Sequence, residues 1–165
     1  MGFVLFDASG PAKGYTEEDG AETMAAVFNH RGGHEFICTP WGYLETFAVM
    51  LRRRNNNVMS AAQFSTVVAT LQAEILNPAT FRLLTVDDAA IVGATMIVER
   101  HNLNATDAAL LSTFLMFAQA AGLASCLLIA SDKRLIRAAR AENLAVLNPE
   151  EILPDAVPAL LSYLP

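Results

Sequence analysis

Five short apolar runs recur along the chain, at Gly2 to Phe6, Glu35 to Cys38, Phe81 to Thr85, Cys126 to Ala130 and Ala145 to Leu147. Longer segments with helical signals separate them. Runs this short suit strands buried on both faces, and regular alternation of strand and helix builds a parallel sheet covered by helices on both sides. Helices are expected from Ala21 to Phe28, from Thr39 to Arg54, from Ser60 to Leu76, from Asp87 to Glu99, from Asn104 to Ala121 and from Ser131 to Glu142. Thr39 is the expected N-cap before Pro40, and Asn77 and Pro78 stop the helix that begins at Ser60. Ser9 to Gly20 reads as irregular, Arg31 to Gly33 as a turn, and the Pro-bearing tail as a short docked helix. At 165 residues the whole chain is read as one domain, 1–165, with no repeat or linker.

One stretch resembles a membrane span. No charged residue occurs from Ala108 to Ser131, which is long enough to cross a bilayer. Ser112, Thr113, Gln119, Gly122 and Ser125 interrupt it, so helix, turn and strand is the preferred reading, with no membrane partner. The N-terminus has no basic stretch followed by a long apolar run, so no signal peptide is expected. Cys38 and Cys126 are too few for a disulfide framework and read as small buried hydrophobes in a reducing, cytoplasmic setting. Hydrophobic residues are 53% and charged residues 17%, which excludes intrinsic disorder. The net charge of −6 argues against a general nucleic-acid binder, because phosphate contact is driven by Lys and Arg.

In open parallel sheets, sites form at the carboxyl ends of strands where strand order reverses. Asp7 follows the first strand and Ser131-Asp132 the fourth; Glu45 lies on the helix after the second, and Asp107 opens the helix before the fourth. Singly, each Asp has a structural explanation, as a turn residue or a carboxylate in a first helical turn. Glu45 is harder to explain that way: its helical neighbours are Trp41, Leu44, Ala48 and Val49. Asp107 similarly has Leu110, Leu111 and Phe114 on its side of the helix. Carboxylates gathered this closely raise each other's pKa unless a cation lies between them. An oxygen-only set selects Mg²⁺ or Mn²⁺, ions that orient a phosphoryl group and activate water. Phosphodiester hydrolysis is therefore the expected chemistry.

The motifs around these acids resemble those of the PIN-domain ribonucleases, in particular the VapC-type toxins of toxin–antitoxin pairs. "FDASGPAKGYTEEDG" is similar to the first motif, with Asp7, Ser9 and Lys13; "CTPWGYLETFAVMLRRR" to the second, with Glu45. "HNLNATDAALL" is similar to the third, with Asp107, and "IASDKRLIRAARAENLAVLNPEE" to the fourth, with Ser131 and Asp132. The resemblance covers about residues 3–150, and Gly10-Pro11 departs from the more apolar pair usual there. It implies a PIN-like doubly wound α/β/α sandwich whose five-stranded parallel sheet runs in the order 3-2-1-4-5. It also implies a Mg²⁺- or Mn²⁺-dependent endoribonuclease with Asp7, Asp107 and Asp132 as ligands and Glu45 as ligand or base. Products ending in a 3′-hydroxyl and a 5′-phosphate, a homodimer, and an antitoxin that plugs the cleft follow from the same resemblance. In that strand order Cys38 and Cys126 flank the first strand, about 9–10 Å apart and too far for a disulfide.

Other residues carry two readings each. Ser9 and Ser131 can hydrogen-bond phosphate or water, or can cap. Lys13 can contact a phosphate or pair with an acid. Arg52, Arg53 and Arg54 can track RNA or favour a helix C-terminus, and Lys133, Arg134 and Arg137 can contact RNA or face solvent. His30 and His34 are loop residues, His101 a helix-end residue, and Asp87 and Asp88 caps. No phosphate-loop or dinucleotide fingerprint is present. Two other classes compete: a catalytically silent PIN-like scaffold, and a receiver or haloacid-dehalogenase-like phosphotransfer domain. The latter needs paired acids after the first strand, where Asp7-Ala8-Ser9 offers one.

Overall fold

The computed structural model describes residues Met1 to Pro165. In chain order the elements are β1 (Phe3–Phe6), α1 (Ser9–Gly14), α2 (Ala21–Asn29), β2 (Glu35–Cys38), α3 (Pro40–Asn55), α4 (Ala61–Ile75) and β3 (Arg82–Leu83). They continue as α5 (Asp88–His101), α6 (Ala105–Ala121), β4 (Cys126–Ile129), α7 (Lys133–Ala141), β5 (Ala145–Leu147) and α8 (Val157–Ser162). The five strands form one parallel sheet in the order β3-β2-β1-β4-β5, as the motifs imply. Strand order reverses between β1 and β4, whose last pair is Phe6 with Ile129. The Asp7 N–H still donates to the Ile129 carbonyl at 3.1 Å, so the chain leaves both strands at one point.

Alternate strand residues feed opposite cores. Leu5, Ile37, Cys126 and Leu128 pack against α5, α6 and α7. Val4, Phe6, Phe36, Cys38 and Ile129 pack on the other face with Met24, Leu71, Phe81, Val157 and Leu161. Burial on both faces explains why the strands read as unbroken apolar runs. The two cysteines therefore lie on opposite faces of the sheet, both free and buried, and burial pushes the Cys38 thiol up to about 12.

Side-chain caps set the helix starts. Thr39 accepts from the Gly42 N–H, with Pro40 opening the helix; Asp87 accepts from Ala90 N–H and Asn104 from Asp107 N–H. The uncharged stretch divides as expected: α6 is buried in the first core, Gly122 at φ +96° ends it, and β4 follows. No helix is long and apolar enough to cross a membrane.

Four local expectations are corrected. The segment after Asp7 is not irregular throughout, because α1 occupies Ser9 to Gly14 and buries Gly10, Pro11, Ala12 and Lys13. Gly10 explains the departure from the apolar pattern: a Cβ there would stand 3.0 Å from Ile129 Cγ2. The cap of α7 is Asp132, not Ser131. β3 is only two residues long, an exposed edge paired to the end of β2. His101 does more than sit at a helix end: its Nε2 meets Glu142 Oε1 at 2.7 Å, beside Arg100 at 2.6 Å, tying α5 to the end of α7.

Candidate active site

Four carboxylates come to the switch point on four different elements. Asp7 is the first residue beyond β1 and only 6% exposed. Asp132 caps α7 just beyond β4, with Oδ1 accepting from the N–H groups of Arg134 (2.7 Å) and Leu135 (2.9 Å). Asp107 is in the first turn of α6, half-buried, above the fully buried Leu111 and Phe114. Glu45 is half-buried on α3. Gly42, buried in the first turn of α3, stands beside the end of β1: a Cβ there would meet the Phe6 carbonyl at an ordinary contact distance of 3.8 Å. The Thr46 hydroxyl donates chiefly to the Gly42 carbonyl at 2.8 Å and also lies 3.3 Å from the Ala8 carbonyl, which places α3 beside the residue that follows Asp7. The buried face of α3 is Gly42, Thr46 and Met50, so Trp41 and Leu44 are not core residues but exposed ones.

These acids form one electrostatic unit. Burial raises Asp7 above the usual carboxylate range, and the charge of Asp132 adds to it, while hydrogen bonds from Ser9 oppose. Glu45 is raised by burial and then by Asp7 and Asp107, against a smaller pull from Arg52. Asp107 is raised by burial and then by Asp7 and Asp132, with Asn104 opposing. No Lys, Arg or His forms an ion pair with any of the four; the ion pairs of this chain all use other acids.

The donor set fits a hard divalent cation in type and charge. Asp7 accepts both Ser9 hydrogen bonds on Oδ2, from N–H at 3.1 Å and from Oγ at 2.5 Å. Asp107 accepts from Asn104 Nδ2 on Oδ2 at 2.7 Å. Asp132 is engaged only through Oδ1, and Glu45 accepts no hydrogen bond, so each of the four acids has a carboxylate oxygen without a hydrogen bond. The fit is not a closed coordination shell: no three His, Cys, Asp or Glu side chains converge to ion-binding distance.

The remaining candidates divide. The Ser9 hydroxyl joins the two strand ends, donating to Asp7 and accepting from the Ser131 N–H at 2.9 Å. Ser131 Oγ is buried at this junction without a partner. Lys13 is committed elsewhere: it is buried, with Nζ 2.7 Å from Glu150 Oε1 and donating to the Asp19 carbonyl at 2.9 Å. Arg53 pairs with Glu18 at 3.0 Å, and Arg54 bonds Asn55 and lies 4.7 Å over the Phe64 ring. Arg52 is exposed and acts on Glu45. Lys133, Arg134 and Arg137 are exposed on α7. Asn104, expected only as a cap, also holds the Asp107 carboxylate; the Asn-x-x-Asp spacing is its signal. A cavity of about 610 Å³ is lined by residues 16–23, 149, 150 and 152–154, with Glu17, Glu18, Asp19 and Glu22 among them, and by none of the four acids.

No family model matches the chain, and a search of curated proteins finds no match.

Proposed function

We propose that the chain is a Mg²⁺- or Mn²⁺-dependent endoribonuclease. One observation carries this reading: four carboxylates from four elements share the switch point, couple electrostatically, and form no ion pair with a Lys, Arg or His, Arg52 acting only weakly on Glu45. One of them is 6% exposed, where an unpaired charge is costly unless the group takes up a proton or a cation binds beside it.

Asp7, Asp107 and Asp132 would hold the ion, with Glu45 as a further ligand or as the base for the attacking water. When bound, the ion polarises the phosphate and lowers the pKa of water. Ser9 orients Asp7 and keeps the ends of β1 and β4 together. Asp132 is held by two backbone N–H groups, which leaves its other oxygen facing outward. The proton of the attacking water passes to Glu45 as oxygen adds to phosphorus. The bond from phosphorus to the 3′-oxygen would break in line, that oxygen taking up a proton from solvent, so the products would carry a 3′-hydroxyl and a 5′-phosphate. Arg52, Lys133, Arg134 and Arg137 supply phosphate contacts around the acids. Four of the chain's 17 acids then belong to the centre itself, which reconciles its negative charge with an RNA substrate.

The motif resemblance extends the reading to the toxin of a toxin–antitoxin pair, with an antitoxin as partner. The outward side of α5 supports the homodimer it implies: Ile91, Val92 and Met96 are exposed there, with no charge between Ala89 and Val98. Two free, buried cysteines accord with a reducing, cytoplasmic setting. The test is cleavage of a labelled single-stranded RNA with Mg²⁺ or Mn²⁺. Cleavage lost in EDTA and in a folded Asp7→Asn variant is expected; wild-type cleavage by that variant would overturn the proposal.

A further inference from the structure

We propose that Trp41 is a stacking platform for a nucleobase beside the scissile phosphate, so that α3 selects single-stranded RNA. The proposal rests on the nuclease reading and names how its substrate is held.

Trp41 is the only tryptophan in the chain and is 41% exposed, next to Leu44 at 58%. Its ring takes part in none of the aromatic pairs of the fold. A scattered exposed hydrophobe needs no explanation, but this one has a specific place. It precedes Glu45 by four residues, so it stands one turn away on the same side of α3. Arg52 lies eleven residues beyond Trp41, three turns on and back on that side, and acts on Glu45. Trp41, Glu45 and Arg52 thus form one stripe about 16 Å long. An aromatic face, the proposed site carboxylate and an exposed cation follow one another along it.

That sequence of groups matches a single strand. Strand-binding proteins pair cations that track the backbone with aromatic rings on which bases stack, and any base offers a π-face. A duplex cannot use the stripe, because its bases are already stacked on each other. Neighbouring cations do not compete for the role: Arg53 is paired to Glu18 and Arg54 covers Phe64. Protein docking on Trp41 and Leu44 is the rival: Ala48 and Val49 extend the apolar surface along the same side but are only half-exposed, and Glu45 and Arg52 place charge on either side of them.

The experiment uses the full chain carrying Asp7→Asn, in EDTA, so that the strand stays intact. Tryptophan emission, which comes from Trp41 alone, is titrated with a single-stranded octaribonucleotide, the same strand in duplex form, and an octamer of abasic ribose phosphates. Saturable quenching by the single strand only is expected. Affinity, read by anisotropy of a labelled octamer, should fall about tenfold or more on adding Trp41→Ala and be restored by Trp41→Phe. Unchanged affinity in Trp41→Ala, or equal quenching by the abasic strand, would overturn the proposal and leave the patch as a protein-docking face. The nuclease reading fails separately, by absence of metal-dependent cleavage in the wild type; quenching and the affinity loss would then still establish Trp41 as a base platform.

Discussion

The Ser9 hydroxyl donates to the Asp7 carboxylate across 2.5 Å, and the same oxygen accepts from the Ser131 N–H at 2.9 Å. One side chain therefore fixes the most buried acid of the site and joins the ends of the two strands that flank the switch point. Ser9→Ala removes both bonds and leaves a buried carboxylate short of a donor. Unfolding by urea should show a loss of about 1.5–3 kcal/mol. Because the Ser9 hydroxyl bond helps hold the Asp7 pKa down, its loss raises it further even though the backbone N–H bond remains, and the acid limb of the pH–rate profile should move to higher pH.

Asp7→Asn should stabilise the metal-free protein. The sign follows from the direction of the shifts: Asp7, Glu45 and Asp107 all have raised pKa values in the fold. The folded state then binds more protons than the unfolded chain between the two pKa values, and stability falls as pH rises through that window. The penalty is fully present above the folded pKa values and absent below the unfolded ones. In EDTA, Tm of the variant should exceed that of wild type at about pH 8, by about 2–4 °C per kcal/mol relieved, and the gap should close toward about pH 4. Mg²⁺ should reverse the order at neutral pH by stabilising only the wild type. A variant less stable than wild type in EDTA at every pH would contradict this assignment.

Lys13→Met should act on stability. The buried Lys13 ammonium joins Glu150 and the Asp19 carbonyl, holding α1 to the segment after β5. Losing a charged hydrogen-bonded pair of which Glu150 is well exposed should cost about 1–3 kcal/mol by urea denaturation. RNA affinity measured on the folded variant should be unaltered. A specific loss of RNA affinity at unchanged stability would return Lys13 to the phosphate-binding set.

Arg137→Ala should do the reverse. Arg137 is exposed on α7 and belongs to no ion pair, so stability should change by less than about 0.5 kcal/mol. If it meets a phosphate, the log–log salt slope of single-stranded RNA binding should fall by about 0.7. An unchanged slope would mark Arg137 as a solvated helix residue.

Patterns that are local in sequence are legible in the residues themselves. Apolar runs identify the strands, Thr39-Pro40 and Asn104 the helix starts, and the acids after β1 and β4 two members of the candidate site. Strand order comes through the motif resemblance, since no single run states its neighbours. What escapes depends on partners far apart in the chain. α1 forms because Gly10 fits against Ile129, and the fate of Lys13 is decided by Glu150. Ser131 has the residue type of a cap for α7, yet its backbone N–H is drawn to Ser9 and Asp132 takes the capping role. Helical spacing puts Glu45 among apolar neighbours but does not reveal which face of α3 meets the core. The buried side is Gly42, Thr46 and Met50, chosen by contact with the end of β1 and the Ala8 carbonyl.

The claim that these four acids are a cation site is tested most directly by calorimetric titration of Mn²⁺ into the full chain at neutral pH. Saturable binding by the wild type is expected, weakened at least about tenfold in Asp7→Asn and weaker at lower pH as the acids take up protons. No binding by the wild type, or equal binding by the variant, would contradict it.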